Sequence, residues 1–432
     1  MGGVQRRFVA VSRPRFKRRA ALTSPGRRLG IYLDADYRIV VTPEGEQVAV
    51  HPADFALVGL FLLEVGARFD TFVLFGRAAR SDQLDEYVPL PPSVRFVELP
   101  YYGSLTHLGA VARATGGTTR RMWEALGRLD SIWVFGPHPF SLMIVGLAKL
   151  RRRDVVLGVR QDTPAYFRAR LPSRLWAPAM IPVHALDASY RLLSRALKTV
   201  VVGPAIARRY GTDRDKLLPL ISDSVVPARE VSNGSDSRDW SGPLELLTVG
   251  RIDPEKNPLL VVEALAELER VEPGRYRVVW VGDGPMADTV RERAAALGVT
   301  ERLQLLGWVP FGPELLALYR RAHMFVHVSF TEGVPRVITE ALAFAAPIVA
   351  TDVGGVRAAL DDGNAGLLVP VDDREALVAA IRKLGDDSEL RQRLVARGLE
   401  LARERTLEAQ AAVVAAFIQD GGRPVGSAPM PE

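Results

Sequence analysis

Two glutamates eight positions apart, Glu332 and Glu340, and two cations five apart, Arg251 and Lys256, are the residues of this chain best suited to chemistry. An Arg presents a planar fork of donors and a Lys a compact charge, so together they suit a diphosphate. The glutamates stand in Ser329-Phe-Thr-Glu-Gly-Val-Pro-Arg-Val-Ile-Thr-Glu340. Before them runs an apolar, β-branched stretch, Ala322 to Val328, and after them a stretch rich in helix formers, Val337 to Ala346. The first reads as a buried strand and the second as a helix. Pro335 suits the first turn of that helix, where its missing N–H has no partner to lose. Glu332 is therefore expected at the helix mouth, with Glu340 about 7–8 Å beyond Pro335 at about 1.5 Å per residue. That span matches the reach from the diphosphate of a nucleotide to its ribose. Gly333, Val334, Pro335 and Arg336 open the helix, and the exposed N–H groups of a helix start attract phosphate. A plainer reading makes Glu332 a capping partner, Glu340 part of a solvated face, and the cations surface charges paired with Asp253 and Glu255.

The elements around these residues place them consistently. Leu246-Leu-Thr-Val-Gly-Arg251-Ile-Asp-Pro-Glu-Lys256-Asn-Pro reads as a strand ending at Gly250, a polar turn, and a helix from about Pro258 to Arg270. Along the chain such pairs repeat. Strands are expected at Leu29–Leu33, Thr71–Phe75, Val94–Leu99, Ser131–Phe135, Val155–Val159 and Thr199–Val202. They resume near 244–249, 276–281, 302–306, 324–328, 347–350 and 366–369. A hairpin is expected over Arg38 to Val50 around Pro43-Glu-Gly45, a helix over Ala53 to Gly66, and helical structure from Asp386 to Ile418. This alternation predicts an α/β protein of two doubly wound, Rossmann-like domains facing across a cleft, with ligands beyond the carboxyl ends of the strands. At 432 residues two domains are the expectation. The reading divides the chain into a basic tail at 1–28, a first domain at 29–227, a Ser/Asp/Gly-rich linker at 228–243, and a second domain at 244–400.

Five motifs in one order then carry a resemblance. They are Gly-Arg-x-x-x-x-Lys-Asn at 250–257, Val-Gly-Asp-Gly-Pro at 281–285, Glu332-x7-Glu340, Thr-Asp-Val-Gly-Gly at 351–355, and Asp-Gly-Asn-Ala-Gly-Leu-Leu-Val-Pro at 362–370. This resembles the second half of the family 4 retaining glycosyltransferases of the GT-B fold, closely over 244–400 and loosely before. The resemblance implies that Arg251 and Lys256 neutralise the diphosphate of a sugar donor, that Glu332 holds sugar hydroxyls, and that Glu340 takes the ribose. It implies a nucleotide-sugar co-substrate rather than a cofactor, no metal, and retention of anomeric configuration. It also implies a last helix, 401–420, that returns to the first domain. UDP-sugars are the first expectation for the donor, and a sugar or lipid-linked hydroxyl for the acceptor. Two departures stand out: Val356-Arg357-Ala358 lacks the acid that often follows the Gly-Gly pair, and Ala346 replaces a frequent Gly.

The first domain says less. Asp34-Ala-Asp36-Tyr37-Arg38 stands where many relatives have a glycine-rich loop, so that loop's role does not carry over. His138, in Phe135-Gly-Pro-His-Pro139, follows a strand at the cleft side and either lines the reaction centre or serves as a turn residue. Arg160-Gln161-Asp162 occupies the next edge. Lys149 to Arg153 and Arg168 to Arg174 read as solvated faces or as flanks of an anionic acceptor. Gly282-x-Gly284 lacks the third glycine of a dinucleotide fingerprint, Asp288 standing in its place. A nucleotide-sugar epimerase and a non-catalytic nucleotide-sugar-binding protein are the alternative functions.

The net charge of +6 is concentrated at one end. Residues 1–28 carry nine Lys or Arg and no acid, which leaves −3 on the remainder. Such a tail packs poorly and reads either as a solubilising extension or as loosely attracted to anionic lipid. With two Phe and no recognition fold after it, nucleic acid is not the expected partner. No cysteine is present, which fits a reducing cytoplasm. No apolar run is long enough to span a bilayer. The expected location is cytoplasmic, with the tail able to reach the inner face of the membrane.

Overall fold

A computed structural model describes residues 27–419, except 42–46, 53–55, 81–86, 92–93, 169–177, 179, 212, 214, 221–224, 235–237 and 334. The tail at 1–26, the tip of the expected hairpin, most of the Arg168–Arg174 stretch and Val334 lie outside the described residues.

The first domain holds β1 (Arg28–Val41), β2 (Gln47–Pro52), β3 (Thr71–Arg80), β4 (Tyr87–Pro89) and β5 (Arg95–Pro100). It continues with β6 (Ser131–Phe135), β7 (Asp154–Val159), β8 (Lys198–Val202) and β9 (Leu217–Leu220). Its parallel part runs β5-β3-β1-β6-β7-β8-β9, with β2 and β4 added antiparallel beyond the upper half of β1. The chain order reverses between β1 and β6, so this is the topological switch point where ligand crevices form.

The second domain holds β10 (Leu244–Val249), β11 (Tyr276–Val281), β12 (Leu303–Leu305), β13 (Met324–His327), β14 (Ile348–Thr351) and β15 (Leu367–Val369). All pair in parallel in the order β12-β11-β10-β13-β14-β15. Its switch point falls between β10 and β13. Strands buried on both faces feed two cores in alternation: Leu244, Leu246, Val278 and Trp280 on one side, Leu247, Val279 and Val281 on the other. The first domain does the same, with Leu29, Ile31 and Trp133 on one face and Tyr32, Ile132 and Val134 on the other.

Two expected elements differ. The strand at Leu29–Leu33 and the hairpin arm at Arg38 are one strand, because the backbone stays extended past an irregularity between Tyr32 and Asp36 and resumes pairing with β3 at Arg77. The helical stretch from Asp386 is broken. Helix Arg374–Asp386 ends at Asp387, whose side chain accepts from Leu390 N and caps the next helix, Ser388–Glu404. A further break at Arg405–Thr406 starts helix Leu407–Gln419. That last helix buries Leu407, Ala411, Val414 and Phe417 in the first domain's core, beside Leu29, Phe61 and Trp133. Among the described residues, no helix is long and apolar enough to cross a membrane.

Candidate functional site

The loops after β10 and β13 flank the switch point of the second sheet, and one carboxylate ties them together. Glu332 Oε1 accepts from Lys256 Nζ, from His327 Nε2 at 2.8 Å and from Ser329 Oγ at 2.9 Å. The Glu332 side chain is 8% exposed and Lys256 17%. Burial alone would raise the carboxyl, but the His327 and Lys256 contacts outweigh it and hold Glu332 at about 2, against an ordinary 4.5. Glu332 is thus a fixed anion rather than a helix cap.

The backbone around it is equally tied. Phe330 N donates to Glu255 O at 2.9 Å, and Ser329 Oγ to the same oxygen at 3.2 Å, so the loop after β13 rests on the loop after β10. Asp253 caps the short turn Pro254–Lys256 by accepting from Lys256 N, and aims that lysine inward. Two glycines permit the packing. A Cβ on Gly282, at φ +141, would stand 1.9 Å from Gly250 O, and one on Gly354, at φ +54, 1.9 Å from Glu332 O. Gly355 N then donates to Gly333 O at 2.7 Å. The Val-Gly-Asp-Gly and Val-Gly-Gly motifs therefore act here by letting neighbouring loops touch the two that carry the cations and Glu332.

Arg251 behaves differently from Lys256. Its guanidinium is 66% exposed and lies 2.9 Å from Asp253 and 3.6 Å from Glu255, the plainer pairing described above. Surface pairs of this kind hold weakly, so the arginine is free to exchange carboxylates for phosphate. Arg357, at the departure after Gly-Gly, pairs with Asp352 on the loop after β14.

Helix Arg336–Ala343 begins one residue before the expected Val337 to Ala346 stretch and ends three residues short of it, with Pro335 at the N-cap position instead of in the first turn. Glu340 is its fifth residue and is 4% exposed, so it belongs to no solvated face. Its Oε2 accepts from Tyr319 OH at 2.7 Å. Burial raises its pKa, with Tyr319 and Arg336 opposing. Among the described residues, Glu340 shares no hydrogen bond with Lys256 or Glu332; it is buried with Tyr319.

The first domain gathers a second polar cluster at its own switch point. Asp34, on the irregular part of β1, accepts from Tyr102 OH at 2.6 Å and Tyr32 OH at 3.4 Å, and lies 3.3 Å from Arg77 Nε. His138 Nε2 faces its other oxygen at 3.4 Å. His138 is also the N-cap of helix Pro139–Leu150, where Nδ1 accepts from Phe140 N at 3.3 Å. With Nδ1 an acceptor, the proton of the neutral ring belongs on Nε2, directed at Asp34. Burial pushes the imidazole below its ordinary value, Asp34 opposing and Arg77 adding. His138 is thus both a turn residue and part of a polar cluster, and neither of its nitrogens is left to act as a base. Arg38 and Arg77 lie over the Tyr101 ring at 5.0 and 5.7 Å. Asp162 pairs with Arg209, which also holds buried Asp187. Arg151, half-buried, stacks on Trp123 with its Cζ 3.9 Å from the ring centre.

Sequence reasoning missed His327, Ser329, Arg77 and Tyr102. His327 left one signal, a lone imidazole in an apolar strand, because a buried ring nitrogen needs a partner.

The chain is similar to known proteins in sequence and in fold. Residues 236–400 match the family model described as glycosyl transferases group 1. The chain is 37% identical over 227 residues to D-inositol 3-phosphate glycosyltransferase of Corynebacterium glutamicum, covering 50% of this chain and 54% of that protein. It spans about half the length of the curated relatives it matches. Among solved structures it resembles WaaG, a glycosyltransferase of lipopolysaccharide biosynthesis, with a TM-score of 0.61 at 18% identity over 90% of this chain and 99% of WaaG. HepE of Anabaena, solved with UDP and glucose, gives 0.60 at 16% identity over 90% and 99%.

Proposed function

We propose that this chain is a group 1 glycosyltransferase, the family whose model residues 236–400 match, on the GT-B fold of its solved neighbours, and that it moves a sugar from a nucleoside diphosphate donor to a hydroxyl acceptor with retention of configuration. The observation that carries this reading is the Lys256–Glu332 pair at the switch point of the second sheet, with Arg251 exposed beside it. A UDP-sugar is the first donor to test, a choice supported by the UDP bound to HepE.

Cleaving a sugar from a diphosphate leaves negative charge on phosphate. Cations and helix N–H groups fixed before the reaction stabilise that charge without reorganising. In this reading Lys256 is already held in place, Arg251 swings from Asp253 and Glu255 onto the diphosphate, and the start of helix Arg336–Ala343 faces it. Glu332, kept ionised, accepts hydroxyls of the donor sugar, and Glu340 takes the ribose. The acceptor hydroxyl, on a sugar or a lipid-linked sugar, meets the donor from the side of the Asp34 cluster. Same-face attack hands its proton to the departing phosphate, so no side-chain base is required.

The test is transfer from labelled UDP-sugars to a panel of hydroxyl acceptors, with the anomeric configuration of the product read by NMR. Wild-type rates in Arg251→Ala, Lys256→Ala and Glu332→Gln together would sink the site. Release of an altered sugar from donor alone would point to epimerase chemistry instead.

A further inference from the structure

His327 closes β13 and is buried. Pairing with Ala350 on β14 fixes its place in the sheet, and its ring stacks on Phe325 at 6.3 Å with an interplanar angle of 10°. Nε2 lies 2.8 Å from Glu332 Oε1. An ionised carboxylate only accepts, so the proton of that contact sits on Nε2. Burial works to raise Glu332, and the His327 hydrogen bond is the largest of the contacts that lower it, ahead of the charge of Lys256.

The three donors on Oε1 are not equivalent, and among the described residues Oε2 accepts no hydrogen bond. Ser329 Oγ is 2.9 Å from Glu332 Oε1 and 3.2 Å from Glu255 O, and a hydroxyl has one proton to give. Lys256 reaches in from the other loop on a flexible stem, and its side chain is the most accessible of the group, at 17% against 3% for His327. His327 belongs to the strand that carries the Glu332 loop. A buried carboxylate stripped of its only partner is strongly unfavourable, which would bind Lys256 to Glu332 and keep it from phosphate. A second donor, borne by the strand, removes that obstacle.

Resting on the nucleotide-sugar reading above, we infer that His327 is the positioning residue of the donor site. It holds Glu332 by Oε1 while Lys256 passes from the carboxylate to the donor diphosphate, and it leaves Oε2 for the donor sugar. The exchange trades one charged hydrogen bond for another and moves no proton.

The experiment is calorimetric titration of the full chain with UDP, ADP and GDP, on wild type, His327→Leu, His327→Gln, Glu332→Gln, and His327→Leu combined with Glu332→Gln. His327→Leu is expected to bind the preferred nucleotide about tenfold more weakly than wild type or worse, the equivalent of one charged hydrogen bond, because Glu332 then keeps Lys256. Glu332→Gln, with no charge to hold the lysine, is expected to bind at least as tightly as wild type. In that background His327→Leu is expected to change affinity by less than about twofold. His327→Gln, which retains an N–H, is expected to recover most of the loss. A merely structural role weakens binding equally in both backgrounds, so equal effects overturn the proposal, as does wild-type affinity in His327→Leu. Should His327→Leu not fold, Ser329→Ala, which removes another donor from the same oxygen, repeats the cycle and is held to the same dependence on Glu332. A wild type that binds none of these nucleotides overturns the donor reading itself, whereas binding with no such dependence on Glu332 overturns only the role of His327.

Discussion

Lys256 Nζ and Glu332 Oε1 meet across 76 positions of sequence and join the two loops that flank the switch point of the second sheet. The pair is mostly buried and is completed by His327 and Ser329 on the same oxygen. A cation held this way is oriented before any ligand arrives. On the proposed reading, a donor phosphate would find its partner in place and need not order a long side chain.

Replacing Lys256 with Met is expected to lower kcat/KM for a UDP-sugar by about 100- to 1,000-fold, the usual effect of removing one fixed charge-stabilising donor. It also removes one charged hydrogen bond to Glu332, worth about 1.5–3 kcal/mol. Arg251→Ala is expected to weaken donor binding without a change in unfolding, since its guanidinium is 66% exposed. Steady-state kinetics and urea unfolding on the two variants separate these outcomes; equal loss of stability in both would contradict the distinct settings described for them.

Much of this was legible in the sequence, and the reason is local. Strand ends, glycine turns and helix starts are decided by neighbouring residues, so Arg251, Lys256 and Glu332 could be placed on loops after strands. What was not legible depends on convergence. Asp34 and Tyr102 lie 68 positions apart and meet only because β1, β3 and β5 pair side by side. The continuation of β1 past Asp34 likewise depends on β3 extending to Arg80, which nothing near Asp34 announces. That Glu340 meets Tyr319, on a separate helix 21 positions earlier, was not legible either.

The Gly354 position is expected to be intolerant where Gly333 is not. A methyl at 354 would collide with Glu332 O and strain a backbone at φ +54, while at 333 it would meet nothing within 4 Å. Gly354→Ala should cost more than about 1 kcal/mol and lower transfer through displacement of Glu332; Gly333→Ala should leave the unfolding midpoint within about 0.5 kcal/mol of wild type. Unfolding curves and transfer rates on both variants check the contrast.

The two glutamates should respond to pH in opposite directions. Glu332 is held at about 2 in the fold and titrates near 4.5 when unfolded, so the unfolded chain binds more protons between those values and stability rises with pH there. Its contribution, on the order of 3 kcal/mol at most, is complete above about pH 4.5 and lost as pH falls through 2. Glu340 is raised in the fold, so its ionisation costs stability as pH climbs above 4.5. Glu332→Gln is therefore expected to destabilise at pH 7 and to have little effect near pH 2. Glu340→Gln, which can still accept from Tyr319, should stabilise at pH 7 and be near neutral at pH 4. Denaturant midpoints across this range decide the matter, and parallel pH profiles for the two variants would refute the opposite settings.

In the first domain, the Asp34 carboxylate gathers Tyr102, Tyr32, Arg77 and His138 from four different strands or the loops after them. Because His138 already uses Nδ1 to cap a helix and directs Nε2 at Asp34, the cluster is suited to holding a hydroxyl in position and unsuited to taking its proton. Asp34→Asn keeps the shape but halves the accepting capacity, and is expected to raise KM for the acceptor several-fold while leaving the UDP-induced thermal shift unchanged. His138→Ala should add a stability loss of about 1 kcal/mol from the missing cap, with the same split between acceptor and donor. A fall in donor binding with acceptor KM unaltered would move Asp34 and His138 out of the acceptor side altogether.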